Sequence, residues 1–188
     1  MTAEPRRTVY LWEGPPRIEL WTQQVEVAGR SWLQHGLSTG PGTPGAIVVA
    51  ERDGHLLFVE HVRPVAGGRT FLELPRGFAE IVDGDAADRD AACVRTAERE
   101  LAEETGEELV NGRVLGFVWP DTGVLAADVA VVHGTVRAAR AADRFPAPLD
   151  GEATTVLWVA KTAVADLIRR GRIADGLTLA ALSLTLAQ

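Results

Sequence analysis

The residues with the clearest chemical potential stand together in Arg99-Glu100-Leu101-Ala102-Glu103-Glu104-Thr105-Gly106. On a helix, Glu100, Glu103 and Glu104 fall at i, i+3 and i+4, so their carboxylates converge on one face near the C-terminal end. Like charges at that spacing repel, and negative charge at a helix C-terminus opposes the macrodipole. The cluster therefore costs stability unless a cation offsets it. Hard divalent cations such as Mg²⁺ take oxygen ligands, commonly one or two carboxylates together with phosphate oxygens of a substrate. Arg99 can reach Glu103 at i+4 and hold it in place. Taken alone, three glutamates in five residues also read as a solvated acidic helix surface.

A helical pattern from about Ala86 to Thr105 must carry this cluster, with Gly106 placed as its C-cap. Val94, Ala97 and Leu101 form a neighbouring apolar stripe that can pack on a sheet, with Cys93 facing the core. Before the helix, Ala46 to Ala50 and Leu56 to Val62 are apolar runs separated by Asp53-Gly54, a hairpin signal. Phe71 to Leu74 is a further strand stopped by Pro75. After it, Val114 to Trp119, Asp128 to Val136 and Thr154 to Ala160 read as strands, with a loop from Arg137 to Pro148. Two helices follow, Thr162 to Arg170 and Leu177 to Leu186. Strands interleaved with helices imply a layered α/β domain. The first forty residues read differently, as three extended pieces: Thr8 to Trp12, Ile18 to Val27 and Ser31 to Gly36. Ser38 to Gly45, rich in Gly, Pro, Ser and Thr, reads as a linker or long turn. The expected division is thus an N-terminal β segment, residues 1–44, and a main domain, 45–188.

Composition narrows the function classes. The chain of 188 residues carries a net charge of −7. That disfavours nucleic acid and anionic membranes as partners, since both favour a basic face. An acidic protein that handles phosphates needs a divalent cation to offset its own charge. Cys93 is the only cysteine, which excludes an internal disulfide or a cysteine-based zinc cluster. No apolar run approaches the roughly 18 residues of a membrane span. The N-terminus lacks the apolar core of a secretory leader. A cytoplasmic location is the expectation.

The string from Arg99 to Gly106 resembles the second half of the Nudix box. That pattern reads Gly, five residues, Glu, seven residues, then Arg-Glu-hydrophobic-x-Glu-Glu-x-Gly-hydrophobic. Glu73-Leu74-Pro75-Arg76-Gly77 resembles the strand-to-loop element that opens the box. Gly151-Glu152 with Val156-Leu157-Trp158-Val159, and the tail from Gly171 to Thr178, resemble ADP-ribose pyrophosphatase-like members. The resemblance covers about Gly45 to the C-terminus. It departs from the family at two places. The stretch between Gly77 and Arg99 carries an insertion of eight residues around Ala79 to Ala91. The first box glutamate falls in register on Ala91, leaving Glu80, Asp83 and Asp85 as substitutes among which spacing does not choose. Glu107 also stands where a hydrophobic residue is usual.

The resemblance implies a Nudix-like α/β/α sandwich with a mixed sheet, plus a small N-terminal antiparallel β sub-domain that makes a homodimer. It implies a hydrolase that uses Mg²⁺ or Mn²⁺ to cleave the pyrophosphate of a small nucleoside diphosphate derivative, ADP-ribose or a nucleotide sugar. Glu100 and Glu104 are the implied metal ligands, Glu103 a ligand or close partner, and the Arg76 carbonyl a further donor. Arg99 orients the glutamates. Glu152 is the implied general base, set against a turn residue that caps a strand, with Asp150 and Glu80 as weaker candidates. Arg63 is placed to pair with a phosphate or to form a structural ion pair. Trp119 and Gly77 are assigned to substrate binding, Trp119 with a core role as its alternative. Thr122 replaces a proline that ADP-ribose enzymes commonly carry, which puts ADP-ribose itself in question. Trp12, Trp21 and Trp32 can stack on a base or serve as buried or interface residues. His35, His55, His61 and His133 show no metal spacing and read as structural. Two other functions compete: a Nudix-fold sensor that binds a nucleotide without hydrolysing it, and an enzyme acting on nucleoside triphosphates or dinucleoside polyphosphates.

Overall fold

The computed structural model describes residues 1–40, 44–80, 88–137 and 153–187. The first forty form a four-stranded antiparallel sheet from β1 (Thr2–Ala3), β2 (Arg7–Trp12), β3 (Ile18–Val27) and β4 (Arg30–Thr39). β1 and β2 share one edge of β3, and β4 takes the other. Trp21 on β3 is buried and its indole N–H donates to Ser38 Oγ at 2.9 Å. Gly36 lies opposite Trp21 in the register. A Cβ at Gly36 would stand 2.1 Å from the ring, so the cross-strand partner has to be glycine. The expected linker from Ser38 to Gly45 is shorter than its composition implied, because β4 continues through Thr39 and the next strand opens at Gly45.

The main sheet is built from β5 (Gly45–Arg52), β6 (His55–Arg63), β7 (Arg69–Glu73), β8 (Arg76–Gly77), β9 (Glu108–Val118), β10 (Val129–Arg137) and β11 (Ala153–Ala160). β5 and β6 meet through Asp53-Gly54, both at positive φ, the geometry of a primed hairpin turn. The two strands then splay. β7 takes over the edge of β6 that β5 leaves, and β8 does the same for β5. β5 runs parallel to β10; the other pairings are antiparallel. The mixed sheet is the one the resemblance implied. β8 was not foreseen, since two residues between a proline and a loop carry no periodic signal.

Alternation assigns the two faces. Ala46, Val48 and Ala50 of β5 pack with Leu57 and Val59 of β6 beneath α1 (Arg89–Thr105), against Cys93, Ala97 and Leu101. Ile47, Val49, Leu56 and Phe58 face the other way, against α2 (Lys161–Arg169) and α3 (Gly176–Leu186). This is an α/β/α sandwich. Asp88 caps α1 by accepting from Ala91 N–H, and Gly106 closes it in the left-handed conformation, φ 71°. Asp175 caps α3 by accepting from Thr178 N–H. Among the described residues no helix is long and apolar enough to cross a membrane.

Candidate active site

Helix α1 lies with one stripe on the sheet and its next face carrying the glutamates. Glu104, one turn past Leu101, is nearly buried; Glu100 is largely buried, and Glu103 is exposed. Arg99 N–H groups donate to Glu100 Oε1 at 2.9 Å, Glu103 Oε2 at 3.0 Å and the Phe78 carbonyl at 2.8 Å. The expected i+4 contact to Glu103 is therefore present, and the same guanidinium ties the helix to the segment after β8. Glu80 stands 3.7 Å from Arg99 Nη1, at the rim of the cluster. Asp83, Asp85, Asp150 and Glu152 lie outside the described residues, as do 81–87 of the insertion; its last residues form the first turn of α1.

Gly77 supports the Glu100 carboxylate. A Cβ at Gly77 would fall 2.0 Å from both Cδ and Oε1 of Glu100. Gly77, which the resemblance assigned to substrate binding, thus lies against the Glu100 carboxyl. Burial pushes the Glu100 carboxyl up to about 7 against the opposing effect of Arg99, and the charges of Glu104 and Glu103 add to the rise. The helix thus holds a carboxylate that gains by meeting a cation. Among the described residues no three acidic, imidazole or thiol groups form one coordinating cluster. Arg99 occupies Glu100 and Glu103 in this arrangement. The donor chemistry nonetheless fits a hard divalent cation: converging carboxylates of like charge, held at a site where the charged form of one is disfavoured.

Arg63 and Arg76 converge on Glu73, which is 1% exposed. Arg63 is bidentate to it, at 3.0 and 2.6 Å, and Arg76 reaches it at 2.9 Å and Asp175 at 3.5 Å. Of the two roles open to Arg63, the ion pair is the one present. Burial pushes the Glu73 carboxyl up, but hydrogen bonding from Arg63 and the charges of both arginines outweigh it and hold it below the ordinary 4.5. Replacing Glu73 by glutamine leaves two arginines without their shared buried carboxylate, and about 3–5 kcal/mol of stability is expected to go in urea unfolding at pH 7. A folded-state value below the ordinary one adds stability that is present above pH 4.5 and lost as pH falls through it. The gap between wild type and variant should accordingly close on acidification; a gap that stays constant would deny Glu73 its charge.

Glu107, out of place in the family pattern, pairs with Arg52 at 3.6 Å, and Arg52 stacks on Trp158. His133 faces Glu51 at 3.3 Å, and His55 Nδ1 contacts the Asp53 carbonyl. Both histidines, read as structural from the sequence, make these contacts away from the helix glutamates. His61 differs. It is buried, and its Nε2 lies 3.7 Å from Glu104 Oε1. The signal for it was available, since His61 follows Leu57 and Val59 on the helix-facing side of one strand. Cys93 is buried as expected.

Trp119 is exposed and borders a cavity of about 490 Å³ between the N-terminal sheet and the start of β10, lined also by Arg6, Arg17, Ser38 and Asp128. A neighbouring cavity of about 270 Å³ shares Arg6 and Trp119. The N-terminal sheet is fixed here: Leu37 N–H donates to the Val124 carbonyl, Ala126 N–H donates to Leu37, and the Gln34 amide donates to the Gly123 carbonyl. Glu100, Glu103 and Glu104 line neither cavity. The connection runs through Pro44 on the cavity wall to Gly45, which abuts Gly77, which in turn supports Glu100.

No protein-family model matches the chain, and no curated protein sequence matches it. Among solved structures, a crystal structure described as an ADP compounds hydrolase aligns with a TM-score of 0.69 over 99% of this chain and 92% of that chain, at 16% identity. The chain shares that protein's fold across both of its sheets, and this is the Nudix fold that the box pattern implied.

Proposed function

We propose that this chain is a Nudix-type hydrolase that cleaves the pyrophosphate of a nucleoside diphosphate derivative, ADP-ribose or a nucleotide sugar, to a nucleoside monophosphate and a sugar phosphate. One observation carries the reading: Glu100 and Glu104 converge on a helix clamped by Arg99 and seated on a glycine, in the fold of an ADP compounds hydrolase. Glu100, Glu104 and the Arg76 carbonyl would hold Mg²⁺ or Mn²⁺, with Glu103 beside them. Such an ion, when bound, neutralises phosphate charge and lowers the pKa of a coordinated water.

The chain's own residues do the rest. Glu100 gives up its proton to serve as a ligand, and Arg99 keeps the helix glutamates oriented. Glu152 removes the proton from the attacking water, which demands hydrogen-bond reach. Arg63, two residues past His61 on β6, stays paired with Glu73 and so holds the strand that leads to Arg76. The cavity at Trp119 takes the part of the substrate beyond the diphosphate, with the indole as a stacking face.

The test is release of phosphate from a panel of ADP-ribose, nucleotide sugars, NADH, diadenosine polyphosphates and dNTPs with Mg²⁺ or Mn²⁺, using added phosphatase to reveal monophosphates and inorganic pyrophosphatase for the dNTPs. Metal-dependent release that falls by about three orders of magnitude in Glu104→Gln is the expected result, the scale of a lost essential charge contact. Release preferring dNTPs or diadenosine polyphosphates would move the chain to the third function. Silence with every substrate, alongside nucleotide-dependent thermal stabilisation, would favour the sensor.

We also propose that residues 1–44 make a homodimer and that the protein works in the cytoplasm. β2 is exposed along its whole length, and exposed apolar side chains stand on both faces of the N-terminal sheet, Tyr10, Trp12 and Leu33 on one and Leu11 and Trp32 on the other. Surfaces of that kind mark interaction sites. Deleting residues 1–40 should yield a monomer or an insoluble protein in sedimentation; a soluble dimer would place the interface elsewhere.

A further inference from the structure

One row of the interface between α1 and the sheet is apolar until its last step. Leu57, Val59 and His61 stand at i, i+2 and i+4 on the helix-facing side of β6. Cys93, Ala97, Leu101 and then Glu104 follow one another along the facing stripe of α1. The first members of both rows are packed hydrocarbon or thiol. The last members, His61 at 2% exposure and Glu104 at 6%, face each other with Nε2 and Oε1 3.7 Å apart. Neither ring nitrogen of His61 has a hydrogen-bond partner among the described residues. A buried polar group in that condition calls for an explanation, because leucine or valine would continue the row without the desolvation cost.

We infer that His61 is a positioning residue for the Glu104 carboxylate: its buried Nε2–H steadies Oε1 from the sheet side and aims the carboxylate at a divalent cation. The inference rests on the proposed metal-dependent reading. The separation is somewhat longer than a hydrogen bond, and a shift of under 1 Å in either side chain closes it. Carboxylates that ligate a metal are themselves held by hydrogen bonds, and removing such a partner commonly lowers metal affinity 10- to 100-fold. His61 need not change charge in this role. A neutral imidazole with its proton on Nε2 is sufficient, so an amide should substitute where an alkyl group cannot.

The experiment is Mn²⁺ binding to the full chain, followed by electron paramagnetic resonance of free Mn²⁺, alongside melting temperature in chelator. Two apolar variants, His61→Leu and His61→Val, are used because either side chain already packs in this row; His61→Gln restores a donor, and Glu104→Gln marks full loss. The expected result is that an apolar variant melts at or above wild type in chelator yet binds Mn²⁺ at least tenfold more weakly, with His61→Gln recovering most of the affinity. A merely structural histidine would lower the melting temperature and leave affinity alone. Wild-type affinity in a folded apolar variant overturns the inference and leaves the metal reading intact, as does an apolar pair that fails to fold while His61→Gln binds tenfold more weakly. Absence of Mn²⁺ binding by the wild type itself overturns both.

Discussion

Glu100→Gln should melt higher than wild type in chelator at pH 8 while losing turnover. The Glu100 carboxyl sits at about 7 in the folded chain against an ordinary 4.5, with burial as the main cause. The folded state therefore holds a proton that the unfolded state has released between those two values. Stability contributed by this group falls as pH rises through that window and levels off above it. At about 1.4 kcal/mol per unit, the cost at pH 8 is on the order of 3 kcal/mol. Glutamine keeps the acceptor for Arg99 and carries no charge to desolvate. For a domain of this size the gain corresponds to a shift of roughly 6–12 °C. Calorimetry from pH 4.5 to 8 should show the two proteins diverging as pH rises, the wild type falling away; parallel curves would deny Glu100 its raised value. Adding Mg²⁺ should stabilise the wild type alone, because a ligand that binds the folded state raises its apparent stability.

Gly77→Ala separates geometry from folding. The new methyl would land 2.0 Å from the Glu100 carboxyl. That carboxyl is the far end of a flexible side chain, so the clash is relieved by swinging Glu100 aside rather than by opening the sheet. The melting temperature in chelator should change by no more than a few degrees, since surviving backbone and core are untouched. Turnover should fall 100-fold or more, the scale on which an ångström of misplacement acts. Metal affinity should fall with it. A variant that keeps its kcat would mean that Glu100 tolerates a second position and that the glycine serves only the pairing of β8 with β5.

These two predictions concern residues that the sequence exposed to different degrees. Glu100, Glu103 and Glu104 were legible because helical spacing brings them together, and the Arg99–Glu103 contact follows it; the Arg99–Glu100 contact between adjacent residues does not. The layered α/β class was legible from the apolar runs Ala46–Ala50 and Leu56–Val62 interleaved with helical patterns, one of them closed by Gly106. Less was available where contacts run across the fold. Nothing local to Gly77 reveals that it touches a residue on a helix, and nothing local to Arg63 reveals that Glu73 is its partner. β8 escaped notice because its pairing with β5 depends on β5 and β6 parting, which is a property of the whole sheet. The same holds for His61: the row it ends is visible in the strand, but its opposite number is on another element.

The parallel pairing of β5 with β10 has a kinetic consequence. Ile47 lies beside Val131 in this ladder, so the strands join chain segments roughly 80 residues apart, with α1 carried in the intervening crossover. Closing so long a loop costs entropy before any of its contacts repay it. The N-terminal sheet and the β5–β6 hairpin are local and can form early. Helix α1 cannot dock fully until β10 has found β5, because its apolar stripe packs on residues from both strands. Hydrogen exchange in α1 should consequently track global unfolding rather than local fraying. Chains caught before that step would carry an intact hairpin and no working site.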